Sequence, residues 1–114
     1  VGEAFSTWGI PTAAAVVTVR RAAGKDVRLI ASGGIRNGLD AAKALALGAD
    51  LAGVALPVFR ALQSGGLEKA NQALEVLIAG LTHALMLTGS RTPARLREKR
   101  KVITGDLKDW MAAL

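Results

Sequence analysis

The chain has 114 residues, 51% of them hydrophobic and only 4% aromatic, and its 15 Lys and Arg against 9 Asp and Glu give a net charge of +6. That length fits one domain with a buried core, and the abundance of small apolar residues suits short buried strands against small-faced helices, an α/β class, rather than aromatic-rich hairpins. The lack of cysteine excludes disulfides, thiolate nucleophiles and Cys-based metal sites and suits a reducing, cytoplasmic setting, while no unbroken apolar run approaches the ~20 residues of a membrane span.

In chain order, residues 1–10 read as loop, with Gly2 and Gly9 for turns. Val1 to Ala4 carries no charged signal-peptide n-region, and the absence of Met at position 1 suggests a start further upstream. Pro11 is placed to open a helix that runs to about Ala23 and ends at Gly24; its β-branched Val16, Val17, Thr18 and Val19 make strand the competing reading. Val27 to Ser32 has the length and apolarity of a buried parallel strand, stopped by Gly33-Gly34. From Gly38 the pattern is helical, with Asp40 in the first turn, where a carboxylate favours the helix dipole, and Gly48 as the C-terminal cap.

Leu51 to Ala55 is a second buried strand, reached after the spacing of a strand–helix–strand unit. A short helix is expected from Pro57 to Leu62, a turn at Gln63-Ser64-Gly65-Gly66, and a long amphipathic helix from Leu67 to Leu87. Thr88-Gly89-Ser90 breaks it. A short helix at Pro93 to Arg100, an extended Val102-Ile103-Thr104 and a terminal helix bearing Trp110 follow. Two parallel strands, apolar on both faces, need neighbours that these elements do not supply, so the chain reads as part of a larger sheet and incomplete in isolation.

The chemistry sits at the two strand ends. Glycines let backbone amides approach a phosphate, and in (β/α)₈ barrels the loops after the last two strands, with the N-terminus of a short extra helix, commonly bind one. Ser32-Gly33-Gly34-Ile35-Arg36-Asn37-Gly38 and Gly53-Val54-Ala55-Leu56-Pro57 supply both ingredients, and Arg36 adds a cation. The competing reading of Gly33-Gly34 is a tight strand-to-helix turn with no ligand.

The stretch from Leu29 to Ala49 resembles the FMN-phosphate segment of flavin-dependent barrel enzymes. Ser32 stands where hydroxyacid oxidases and inosine-monophosphate dehydrogenases carry Asp, and Ala55-Leu56 where the oxidases carry Gly-Arg. Together with Phe5-Ser-Thr-Trp-Gly-Ile-Pro-Thr12 and Leu87-Thr-Gly-Ser-Arg91, these residues resemble the type 2 isopentenyl-diphosphate isomerase family over nearly the whole chain.

The resemblance implies that residues 1–114 are the C-terminal part of one FMN-binding (β/α)₈ TIM barrel, its last two strands and their helices, with 88–114 as a C-terminal extension. It implies interconversion of isopentenyl and dimethylallyl diphosphate with reduced FMN, Mg²⁺ and NADPH, in a homotetramer or octamer. It places Gly33, Gly34, Ile35 and Arg36 at the FMN phosphate, with the backbone amides of Ala55 and Leu56. Trp8 matches a family tryptophan and is read either as a neighbour of flavin or substrate or as a packing anchor.

The family's Mg²⁺-binding Gln-Glu pair and its diphosphate-gripping residues match nothing here, so the missing N-terminal part of the barrel is the expected partner, and no catalytic or metal residue is assigned within the chain. His83, the only histidine, reads as a helix-surface or interface residue. Two other functions fit parts of the pattern. One is an FMN-dependent oxidoreductase of the hydroxyacid oxidase type on the same barrel. The other is a polyanion-binding module using Arg91, Arg95, Arg97, Lys99, Arg100 and Lys101, although without interleaved aromatics this run reads better as a solvated face or subunit contact than as a nucleic-acid patch.

Overall fold

The computed structural model describes all residues, Val1–Leu114. A short 3₁₀ helix at Glu3–Phe5 precedes α1 (Thr12–Ala23), followed by β1 (Ile30–Ser32), α2 (Gly38–Leu47), β2 (Leu51–Gly53), α3 (Leu56–Leu87), α4 (Pro93–Glu98) and α5 (Asp106–Ala112). The class is α/β. Pro11 caps α1 from outside rather than opening its first turn, and its carbonyl accepts from Ala15 N–H at 2.9 Å. Helix prevails over strand here, and the Thr18 hydroxyl donates back to the Ala14 carbonyl at 2.9 Å, a bond available only on a helix.

The strands are shorter than their apolar runs. β1 and β2 pair in parallel with Ile30 opposite Leu51, Ala31 opposite Ala52 and Ser32 opposite Gly53. Below that register the pairing gives way to a knot of bonds at Leu29, whose carbonyl accepts from both Asp50 and Leu51 amides. Beyond Gly53 the chain leaves the sheet to enter α3, so neither Val27–Leu29 nor Val54–Ala55 belongs to a strand.

One face of the sheet is covered by helices and the other is open. Ala31 is 2% exposed and joins Val16, Ile35, Ala41, Ala42, Leu45, Ala49 and Leu96 in the core, whereas Ile30 and Leu51, paired on the opposite face, are each 61% exposed. Alternation along a strand explains the division. An apolar pair left in water forfeits the burial that drives folding, so this face is built to be covered. The dimensions agree: the radius of gyration is 15.4 Å, against about 13 Å for a compact chain of this length.

α3 combines the two helices expected on either side of Gly65-Gly66. The break is present inside it, with Gly65 at φ −160°, ψ 23° and Gly66 at φ 67°, ψ −160°, the latter a left-handed value that favours glycine. By length and composition alone α3 is sufficient to cross a membrane, which a search for unbroken apolar runs does not anticipate. The two glycines interrupt it, Glu68, Lys69 and Glu75 charge its second half, and that half packs on α2, with Leu81, Ala84 and Leu85 against the core.

The C-terminal segment folds back over the helices. Thr92 caps α4 through the Arg95 amide, and α4 lies on α2 with Leu96 in the core, 5% exposed. Residues 99–104 then run unpaired past α2, and α5 reaches α1.

Candidate functional site

Parallel pairing with Ser32 beside Gly53 sends both following loops out of the same end of the sheet. This brings Gly33, Gly34, Ile35 and Arg36 to the end from which Ala55 and Leu56 also emerge. Gly33 and Gly34 adopt φ of +111° and +72°, conformations that a side chain disfavours. They turn the chain so sharply that Ile35, 7% exposed, drops its side chain back into the core while its amide stays in the loop. The Gly34 and Ile35 amides donate to no acceptor within the chain. Ile35 therefore anchors the loop through its side chain and leaves its backbone amide free.

Arg36 is divided the other way. Its amide donates to Asp40 Oδ2 at 3.1 Å, while Asn37 Oδ1 accepts from the Asp40 amide at 2.8 Å. This reciprocal arrangement resembles a capping box and occupies donors at the start of α2, so Arg36 is left to meet an anion with its guanidinium. That side chain is exposed and makes no hydrogen bond or ion pair.

The start of α3 is open by contrast. Ala55 occupies its N-cap position and offers no side-chain cap, and Pro57 sits in the first turn. The Ala55 carbonyl accepts from Phe59 at 3.0 Å, but the Ala55 amide has no acceptor in the chain. An uncapped helix start carries partial positive charge and unpaired N–H groups. One capped and one uncapped helix start, two free loop amides and one free guanidinium form a set of donors with no carboxylate partner of their own apart from the Asp40 oxygen on the Arg36 amide. Such a donor set fits a phosphate monoester.

Two residues, Thr12 and Ser32, support the glycines through contacts that the motifs containing them do not reveal. Thr12, the first residue of α1, places its Oγ1 2.9 Å from where a Cβ on Gly33 would lie, and Ser32 places Cβ and Oγ 3.1 Å from where one on Gly53 would lie. Both glycines thus face filled space. The signal for each is a contact between residues distant in sequence, which no local pattern displays.

Trp8 and His83 make no hydrogen bond to this donor set. Trp8 is 78% exposed and packs on Phe5 with ring centroids 5.3 Å apart. His83 is exposed on α3 and has no polar partner. No group of three or more His, Cys, Asp or Glu is gathered to hold a metal ion.

The basic segment belongs to the opposite end of the sheet, where β2 begins. Arg97 donates to the Ala49 carbonyl at 2.7 Å and to Asp50 Oδ1 at 3.1 Å, and Arg20 donates to Asp50 Oδ2 at 2.6 Å. The Leu29 amide, then Arg20, hold the Asp50 carboxyl down at about 2. Arg95 pairs with Glu98 on the surface, and Lys101 donates to the carbonyls of Arg97 and Lys99. Half of the six basic side chains are therefore engaged within the chain, which leaves Arg91, Lys99 and Arg100 for any polyanion.

Residues 8–103 match the FMN-dependent dehydrogenase family, and the chain belongs to it. Within that family it is similar to proteins named isopentenyl-diphosphate delta-isomerase. The relative from Methanopyrus kandleri is 39% identical over 111 residues, covering 97% of this chain and 30% of its own length. Those from Ignicoccus hospitalis and Metallosphaera sedula are 46% and 48% identical, covering 96% of this chain each and 30% and 29% of their own lengths. The chain thus spans about 30% of the length of the curated relatives it matches.

Proposed function

We propose that this chain is the C-terminal part of an FMN-dependent (β/α)₈ barrel enzyme that interconverts isopentenyl and dimethylallyl diphosphate, and that it holds the phosphate end of the flavin. The observation that carries the proposal is the in-register pairing of two strands whose ends deliver Gly33–Arg36 and Ala55–Leu56 to one place. The open face bearing Ile30 and Leu51 supports a barrel completed by further strands.

In this reading the Gly34, Ile35 and Ala55 amides, with the first turn of α3, hold the phosphate oxygens, and Arg36 balances their charge from the loop. Gly33 sets the direction of the loop and Ile35 anchors it. Bound FMN, when reduced, supplies the acid–base chemistry of the double-bond shift. Fixing the phosphate would anchor one end of the cofactor, and contacts from outside this segment would orient its ring. Ligands for Mg²⁺ and the grip on the substrate diphosphate belong to the N-terminal part of the barrel. NADPH as the reductant, a homotetramer or octamer and a cytoplasmic setting complete the proposal.

The full-length protein, reduced in the presence of FMN and Mg²⁺, should isomerise isopentenyl diphosphate and should not oxidise 2-hydroxyacids. The family match is to FMN-dependent dehydrogenases, so hydroxyacid oxidation without isomerisation would assign the same site to an oxidoreductase.

A further inference from the structure

The two halves of the phosphate site lie on different elements, and sheet register alone does not reach them, because the loop amides, Arg36 and the first turn of α3 all lie beyond the last paired residues. What seats the start of α2, and the loop before it, is its contact with the second half of α3, beyond the Gly65-Gly66 break. Gly38, the first residue of α2, is buried directly against the backbone of α3. A Cβ placed on it would meet the Leu81 nitrogen and the Leu77 oxygen, and would lie 2.5 Å from the carbonyl carbon of Gly80. In the reverse direction a Cβ on Gly80 would lie 3.2 Å from the Gly38 Cα and 3.4 Å from its nitrogen.

Every one of these obstacles is backbone, so no rotamer change relieves them. Both glycines lie within helices, and neither has a positive φ. Alanine would be the better helix former at each, so the reason for glycine is space. Asn37 and Asp40 tie the first turn of α2 to Arg36, so a shift of that turn carries the loop with it.

We propose that Gly38 and Gly80 are positioning residues for the cofactor phosphate, their backbone contact seating the start of α2, and the Gly33–Arg36 loop tied to it, against the second half of α3. The inference rests on the FMN reading above. A methyl group on Gly38 needs about 1 Å of separation to restore contacts of ~3.5 Å, enough to take one half of the donor set out of hydrogen-bond range of a phosphate held by the other.

The test uses full-length protein with FMN and with riboflavin, which has the same ring and no phosphate. Affinities are read from the quenching of flavin fluorescence. Gly38→Ala should weaken FMN by about ten- to a hundredfold, the range of one charge-assisted hydrogen bond, while riboflavin changes by less than about threefold. Gly80→Ala, with its milder overlap, should shift FMN in the same direction by less. If Gly38→Ala does not fold, Gly80→Ala decides by the same ratio. Equal weakening of both ligands, or unchanged FMN affinity in the folded variants, overturns the positioning role. A wild-type protein that does not prefer FMN to riboflavin overturns the phosphate site itself, and the positioning role with it.

Discussion

Gly33 and Gly34 allow the loop geometry to be tested by adding one carbon at a time. At Gly34 a Cβ meets nothing within 4 Å, so Gly34→Ala isolates the cost of holding an L-residue at φ +72°, about 1–2 kcal/mol. At Gly33 the same change carries a φ of +111° and also brings the new carbon to 2.9 Å from Thr12 Oγ1. Backbone strain of about 1–3 kcal/mol and overpacking of a similar size put Gly33→Ala at about 2–5 kcal/mol. Urea denaturation of the full-length protein, compared at its midpoint, reads both changes. Thr12→Ala removes the obstructing oxygen, so in that background Gly33→Ala should recover about 1–2 kcal/mol as a coupling between neighbours. Thr12→Ser, which keeps an oxygen, should recover little. If Gly33→Ala costs no more than Gly34→Ala, or if Thr12→Ala leaves its cost unchanged, the account of this turn is wrong.

Arg36→Ala should weaken FMN by about ten- to a hundredfold and leave riboflavin unaffected, because the guanidinium has no partner within the chain and in the proposed site would meet only the phosphate; Arg36→Lys should fall between, since an ammonium keeps the charge without the planar fork, and calorimetric titration distinguishes the three. Asp50 gives a pH dependence of known sign. Its folded carboxyl sits at about 2 against an ordinary 3.8, so its contribution to stability is present above that ordinary value and is lost as pH falls toward 2. The thermal midpoint of Asp50→Asn should therefore lie below wild type at neutral pH, with the gap closing between about pH 4 and pH 2; a gap independent of pH contradicts the paired-carboxylate reading.

Local features of the chain were readable as sequence, and contacts between distant residues were not. Gly24, Gly48 and the Gly65-Gly66 break fall where a helix pattern meets a residue free to leave it, so composition marks them. The strands read long, because an apolar run records what the chain is able to bury, while pairing ends where its partner turns away at Gly53 and where Leu29 turns its carbonyl to Asp50 and Leu51. Asp40 reads as a helix-dipole residue, yet its carboxylate also closes the Arg36 amide. This changes what Arg36 has to offer a ligand. The Asp50 pairing with Arg20 and Arg97 joins residues 30 and 47 positions apart, and the Gly38–Gly80 approach spans a comparable distance. Neither leaves a periodic trace. Gly38 looked like an ordinary helix start, and only the presence of α3 backbone against it gives the glycine a reason.

The most direct measurement of the central claim is a crystal structure of the full-length protein with FMN. The account predicts the cofactor phosphate within hydrogen-bond distance of the Gly34, Ile35 and Ala55 amides and of the Arg36 guanidinium, at the end of the sheet remote from Asp50. A phosphate bound at any other strand ends, with the Gly33–Arg36 loop making no contact to it, would contradict it.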